Sequence, residues 1–98
     1  MPIALDEPGG AISFRFHARD VHLVMGPPSS HAPVRFRVRL DAQSPELAHG
    51  VDVDEDGNGT ADYQRMYQLI RQRLPVTDRT LEIEFLDAGV EVFVFTFG

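Results

Sequence analysis

Apolar and charged residues alternate without a break from Val34 to Leu40, the period-two pattern of a strand with one face buried and the other in water. Val34, Phe36, Val38 and Leu40 are assigned to a core, and Arg35, Arg37 and Arg39 form a cationic row on the opposite, solvated face. Residues 81–85 repeat the pattern with Leu81, Ile83 and Phe85 inside and Glu82 and Glu84 outside. If these two strands are neighbours, their opposite charges pair across the sheet, each pair contributing about 0.2–1 kcal/mol. Residues 11–18 place Ile12, Phe14 and Phe16 on one side, and residues 20–25 do the same with Val21, Leu23 and Met25, with a bend at Arg19 and Asp20. Residues 90–97 are apolar on both faces apart from Glu91, which predicts a central strand covered on both sides at the heart of the core. Prolines and small polar residues mark loops at 26–33 and 41–46, and Asp87, Ala88 and Gly89 predict a hairpin turn between the last two strands.

One segment is ambiguous. Tyr63, Met66, Tyr67, Ile70 and Leu74 recur at helical spacing, while Tyr67 and Leu69 also alternate as in a strand. The pattern leaves a short helix at 62–73 and a strand both open. Every other element reads as β, so the fold class is all-β.

The chain has 98 residues, enough for one modest core, and is read as a single module over 1–98 with residues 1–10 a loosely ordered leader or linker. Its formal charge of −6 includes nine basic residues, every one an arginine, which argues against a phosphate-binding surface and against nucleic acid as a partner. There is no cysteine, so thiol chemistry cannot originate in these residues. Residues 1–7 lack the basic head and apolar run of a signal peptide, and no apolar stretch is long enough to cross a bilayer, so direct membrane insertion is not expected.

The most chemical-looking segment is acidic. Asp54, Asp56, Asn58, Gly59 and Asp62 reproduce several positions of a calcium-binding loop, in which converging oxygens hold a hard cation and glycine permits the sharp turn. With Asp52 they make a candidate calcium set of Asp52, Asp54, Asp56, Asn58 and Asp62. The departure is at the twelfth position, which is Arg65 counted from Asp54 and Tyr63 counted from Asp52, where such loops use a bidentate glutamate. The alternative is a polar turn whose carboxylates bond nearby backbone amides.

Other chemistry is thinner. His17, His22, His31 and His49 lack zinc-ligand spacing, and Ser13, Ser29, Ser30 and Ser44 lack a nucleophile context. Glu82 and Glu84 sit on a solvated strand face, where solubilising residues are the simpler reading than a glycosidase pair. Enzyme activity is therefore not expected, and no cofactor is expected apart from the candidate Ca2+. Tyr63 and Tyr67 are candidate ligand-binding residues, an aromatic platform for sugar rings or a partner protein, with core packing as the alternative.

Several segments in order, 14–27 (FRFHARDVHLVMGP), 49–54 (HGVDVD), Gly59-Thr60, 67–71 (YQLIR), 85–90 (FLDAGV) and 95–98 (FTFG), resemble the C-terminal domain of the DipZ-like thioredoxin family. These are bacterial proteins related to cytochrome c biogenesis and thiol-disulfide exchange. The resemblance implies a jelly-roll β-sandwich similar to carbohydrate-binding modules. It also implies a non-catalytic accessory role beside a thioredoxin-like domain, in the same or a partner chain, in cell redox homeostasis. Carbohydrate is a further implied partner, and the implied location is periplasmic or otherwise extracytoplasmic. The family's Cys-x-x-Cys pair has no counterpart here, so no catalytic residue is carried over. A jelly roll needs about eight strands, which favours a strand over 67–71. Two further readings are a β domain stabilised by calcium in the 52–62 loop and, last, a stand-alone enzyme.

Overall fold

A computed structural model describes residues 3–5 and 9–98. Its strands are β1 (Ile3–Leu5), β2 (Ala11–Phe16), β3 (Asp20–Gly26), β4 (Val34–Leu40), β5 (Asn58–Ala61), β6 (Arg65–Arg71), β7 (Arg79–Phe85) and β8 (Val90–Phe97), with a single 3-10 turn at Glu46–Ala48. They form two antiparallel sheets, β1-β8-β3-β6 and β2-β7-β4-β5. The pairings β1·β8, β2·β7, β3·β6 and β4·β5 match strands counted inward from the two ends of the chain. The chain is thus one long hairpin, folded at the β4–β5 connection and rolled so that β3·β8 and β4·β7 complete the sheets, which is a jelly roll. Among the described residues no helix is long and apolar enough to cross a membrane.

The alternating strands behave as their patterns require. Val34, Phe36, Val38 and Leu40 are buried, and they face Val21, Leu23 and Met25 of the other sheet within one core cluster. β4 and β7 are neighbours with Arg37 opposite Glu84 and Arg39 opposite Glu82, and Arg39 Nη1 lies 3.3 Å from Glu82 Oε1. Both side chains are well exposed, so the pair contributes about 0–1 kcal/mol.

The open choice at 62–73 falls to the favoured strand, and three other expectations are corrected. Residues 62–73 contain no helix but the strand β6, in which the pairing skips Leu69 between Val21 and His22. This bulge puts one extra residue into β6, so Tyr67 and Ile70 both point inward three residues apart, and the strand imitates helical spacing. A second bulge skips Phe93 opposite Val24 and Met25. It reverses the facing of β8, so that Val90 and Val92 are buried while Phe95 packs on the core further on, and Phe93 and Val94 are turned out to exposures of 37% and 50%. β8 is central in its sheet but not covered on both faces. The turn at 87–89 is not a hairpin, because β7 and β8 belong to different sheets. The expected leader over 1–10 contributes β1, paired with β8; residues 1, 2 and 6–8 lie outside the described residues.

Carboxylates tie the connections to the sheets. Asp87, in the β7–β8 turn, accepts from the Arg35 amide and from its guanidinium at 2.9 Å each, which holds its carboxyl down to about 2. Asp41, after β4, accepts from the Thr80 amide and from Arg79, and its carboxyl is likewise held below the usual range. Burial pushes the Asp20 carboxyl up, but hydrogen bonds from Arg19 and Arg71 outweigh it and the net direction is down. Carboxyls whose folded values lie below the unfolded value of about 3.9 bind fewer protons folded than unfolded, so they stabilise the fold above that pH. We expect the melting temperature to be flat near neutrality and to fall as acid passes from about pH 4 toward pH 2. Thermal melts monitored by circular dichroism across that range check this, and a midpoint that does not drop there contradicts it.

Candidate functional site

The acidic segment connects the 3-10 turn to β5 and is organised by its own backbone. Asp54 Oδ1 accepts from the amides of Asp56 (3.0 Å) and Asn58 (2.9 Å), while the Gly57 amide donates to the Asp54 carbonyl (3.0 Å). Gly57 has φ +94°, and a Cβ there would fall 2.1 Å from the Val38 carbonyl oxygen. Gly59 lies over the Phe36 ring, with room for no side chain. The two glycines serve a tight β4–β5 closure.

Asp52 is spent elsewhere. Its Oδ1 accepts from Arg65 Nη2 (2.8 Å) and its Oδ2 from the Gln68 amide (2.7 Å). Burial pushes this carboxyl up, and the Arg65 and Gln68 donors bring it net below the usual range. Asp62 Oδ1 lies 3.0 Å from the Tyr67 hydroxyl, Asp56 is exposed, and Asn58 Oδ1 accepts from Arg37 Nε at 3.4 Å. The candidate set of Asp52, Asp54, Asp56, Asn58 and Asp62 is therefore not brought together. Among the described residues no three His, Cys, Asp or Glu side chains converge on a metal position. Arg65, the residue that breaks the calcium pattern, is the partner of Asp52.

Three of the four histidines bond in separate places. His17 pairs with exposed Asp78 at 2.6 Å, His49 Nδ1 bonds the Gly50 carbonyl, and His22 Nδ1 lies 3.5 Å from Thr96 Oγ1.

Tyr67 is corrected as a ligand platform. It is completely buried, packs edge-on to Phe36, and its hydroxyl donates to the Tyr63 carbonyl (2.6 Å) while accepting from the Asp62 amide. The Arg65 guanidinium covers its ring at 3.8 Å. Tyr63 is 58% exposed, with the Arg65 guanidinium 5.2 Å from its ring centroid, and it has lost its partner in the platform.

Beside the acidic turn, a cleft of about 450 Å³ opens at the edge of β4 and β5, lined by Arg35, Arg37, Asp54, Asn58 and Thr60, with Phe36, Gly59 and Leu86 completing it. Arg35 stands opposite Thr60 and Arg37 opposite Asn58, so the outward period of both strands delivers guanidinium, amide and hydroxyl groups to one surface. Asp87 holds the Arg35 fork in place. The volume lies within the roughly 300–1,000 Å³ usual for small-molecule sites. The Arg35 and Arg37 row was read from sequence only as a solvated face. Its signal was the alternation itself, which could not reveal Asn58 and Thr60 beside it because β5 is too short and glycine-interrupted to read as a strand.

The family described as "Thioredoxin like C-terminal domain" matches residues 2–98. No curated protein matches the sequence. Among solved structures, a family two carbohydrate esterase from Clostridium thermocellum in complex with cellohexaose superposes with a TM-score of 0.69 at 12% identity, over 96% of this chain and 26% of the esterase chain. An active-site mutant of such an esterase from the same organism gives 0.67 at 12% identity, over 97% and 26%. A family GH115 4-O-methyl-alpha-glucuronidase with specificity for decorated arabinogalactans gives 0.55 at 15% identity, over 100% of this chain and 16% of that one. The chain thus spans a small part of each enzyme, and the likeness is one of fold.

Two outcomes follow from the bonding of the acidic segment. Millimolar calcium is expected to leave the melting midpoint unchanged, whereas an ion held by the folded loop raises it. Asp52→Ala is expected to lower stability by about 1.5–3 kcal/mol in chemical denaturation, because it removes charge-assisted bonds to Arg65 and Gln68. A neutral effect contradicts the assignment of Asp52 as the clasp on β6.

Proposed function

The chain belongs to the thioredoxin-like C-terminal domain family, and on that premise we propose that it is a non-catalytic accessory module that binds carbohydrate in the cleft over the outer face of β4 and β5. The observation that carries the reading is the composition of that cleft. Guanidinium donors from Arg35 and Arg37, the Asn58 amide, the Thr60 hydroxyl and the Asp54 carboxylate give both donors and acceptors at one surface. Such a mixture suits the hydroxyls of a sugar, each of which donates and accepts. Fold likeness to domains within carbohydrate-active enzymes agrees with this choice of ligand without fixing it.

A thioredoxin-like, DipZ-type redox protein is the proposed setting, with this module on the extracytoplasmic side of the membrane and the cysteine chemistry in a neighbouring thioredoxin-like domain. The module's part is to place that domain near a surface or substrate. Its own histidines and serines take no catalytic role in this reading, and the redox activity belongs to the partner domain.

Calorimetric titration with cellohexaose and with soluble peptidoglycan fragments tests the binding claim. We expect binding of at least one probe in the roughly 0.1–1 mM range, weakened about tenfold by the double substitution Arg37→Ala, Asn58→Ala, which removes two hydrogen-bonding side chains. Binding that the double substitution leaves intact would remove the cleft from the account. No binding of any glycan would remove carbohydrate as the ligand.

A further inference from the structure

Three of the nine arginines, Arg19, Arg71 and Arg73, gather in a different place, where with Leu47, His49, Gln72 and Leu74 they line a cleft of about 630 Å³. No carboxylate is among its lining residues, on a chain whose formal charge is −6. Four of the other six guanidiniums have a carboxylate each: Arg35, Arg39, Arg65 and Arg79 pair with Asp87, Glu82, Asp52 and Asp41. Arg37 stands opposite Glu84 in the sheet, and Arg15 bonds the Thr80 hydroxyl. In the cleft the matching fails. Arg19 and Arg71 share the one carboxylate of Asp20, whose side chain is 5% exposed, and Arg73 makes no ion pair among the described residues.

Asp20 orients the arginines more than it neutralises them. Its Oδ2 accepts from Arg19 Nε (3.2 Å) and Nη2 (2.9 Å), and its Oδ1 from Arg71 Nε (3.0 Å). Both terminal nitrogens of Arg71 are left without a protein acceptor among the described residues. A planar guanidinium held by one edge keeps its other donors ready for a second carboxylate. Gln72 is already committed, its Nε2 donating to the Ala18 and Thr77 carbonyls at 2.9 and 3.1 Å. Beside these donors stand two apolar side chains, Leu47 and Leu74, at 62% and 81% exposure.

Donors, excess positive charge and leucines, with few acceptors, are a poor match to a neutral sugar and a good one to a carboxylate beside an apolar group. We propose that this cleft binds an acidic peptide segment of a partner protein, with an Asp or Glu carboxylate on Arg71 and Arg73 and an adjacent apolar side chain against Leu47 and Leu74. The site shares no residue with the cleft over β4 and β5, and the proposal holds whether or not that cleft binds carbohydrate.

The test is amide chemical-shift titration of the 15N-labelled chain at low salt with an acetylated, amidated peptide of alternating Asp and Leu. Parallel titrations use its Asn-for-Asp and Ser-for-Leu counterparts and a glucuronate oligosaccharide. We expect the Asp/Leu peptide to shift the amides of residues 47–49 and 71–74, with the Kd rising about tenfold for Arg73→Ala and for the Asn-for-Asp peptide. Leu47→Ser and the Ser-for-Leu peptide are expected to weaken binding severalfold, and added salt to weaken it further. Arg73 and Leu47 make no side-chain hydrogen bond among the described residues, and thermal melts establish that both variants fold. Absence of shifts at these residues, equal binding of the Asn-for-Asp peptide, or unchanged Kd in both variants overturns the proposal. Tighter binding of the glucuronate oligosaccharide overturns the peptide assignment in favour of an acidic sugar.

Discussion

The open edge of β6 is the constraint on which the arrangement of this jelly roll depends. β6 ends its sheet, and an uncovered edge of unpaired backbone groups would invite other strands. The chain covers it with its own connection: the Gly50 and Asp52 amides donate to the Leu69 and Gln68 carbonyls, and the Asp52 carboxylate takes the Gln68 amide. A Cβ at Gly50 would fall 2.3 Å from the Gln68 carbonyl oxygen, so the close approach is available only to glycine. Arg65 closes the arrangement by reaching Asp52 and covering the ring of Tyr67. The acidic segment owes its position to this cover. Its carboxylates satisfy backbone donors that the crossing between sheets would otherwise leave unpaired.

Where a strand was regular, its facing could be read from the residues. β4 and the latter part of β7 alternate cleanly, and their buried and exposed positions followed. Where a bulge intervened, reading failed in a consistent direction. Leu69 gave β6 a false helical period, and Phe93 made β8 look apolar on both faces, because in each strand one extra residue exchanges the two sides. β5 escaped notice since its inward positions are Gly59 and Ala61, too small to mark a face. The candidate site was legible only in part for a related reason. The acids and glycines of the 52–60 segment were visible, but whether carboxylates converge on an ion or bond amides depends on contacts with β6, which sequence spacing does not contain.

Charge is distributed with the same economy. The chain has arginine and no lysine, and Arg35, Arg39, Arg65 and Arg79 each lock a turn or a neighbouring strand through a carboxylate. Two places depart from that use. On the outer face of β4 and β5 the cationic row meets amide and hydroxyl groups, and at the other cleft two arginines share Asp20 while Arg73 makes no ion pair among the described residues.

The central claim is that the acidic segment is a clasp closed by protein groups, Asp54 within its own turn and Asp52 on β6. Hydrogen exchange measured by NMR in calcium-free buffer tests it most directly, at the amides of Asp56, Asn58 and Gln68, whose acceptors are the carboxylates of Asp54 and Asp52. The account predicts that all three are protected without calcium and that adding calcium leaves their rates unchanged. Exchange at the rate of an unstructured loop until calcium is added would contradict it.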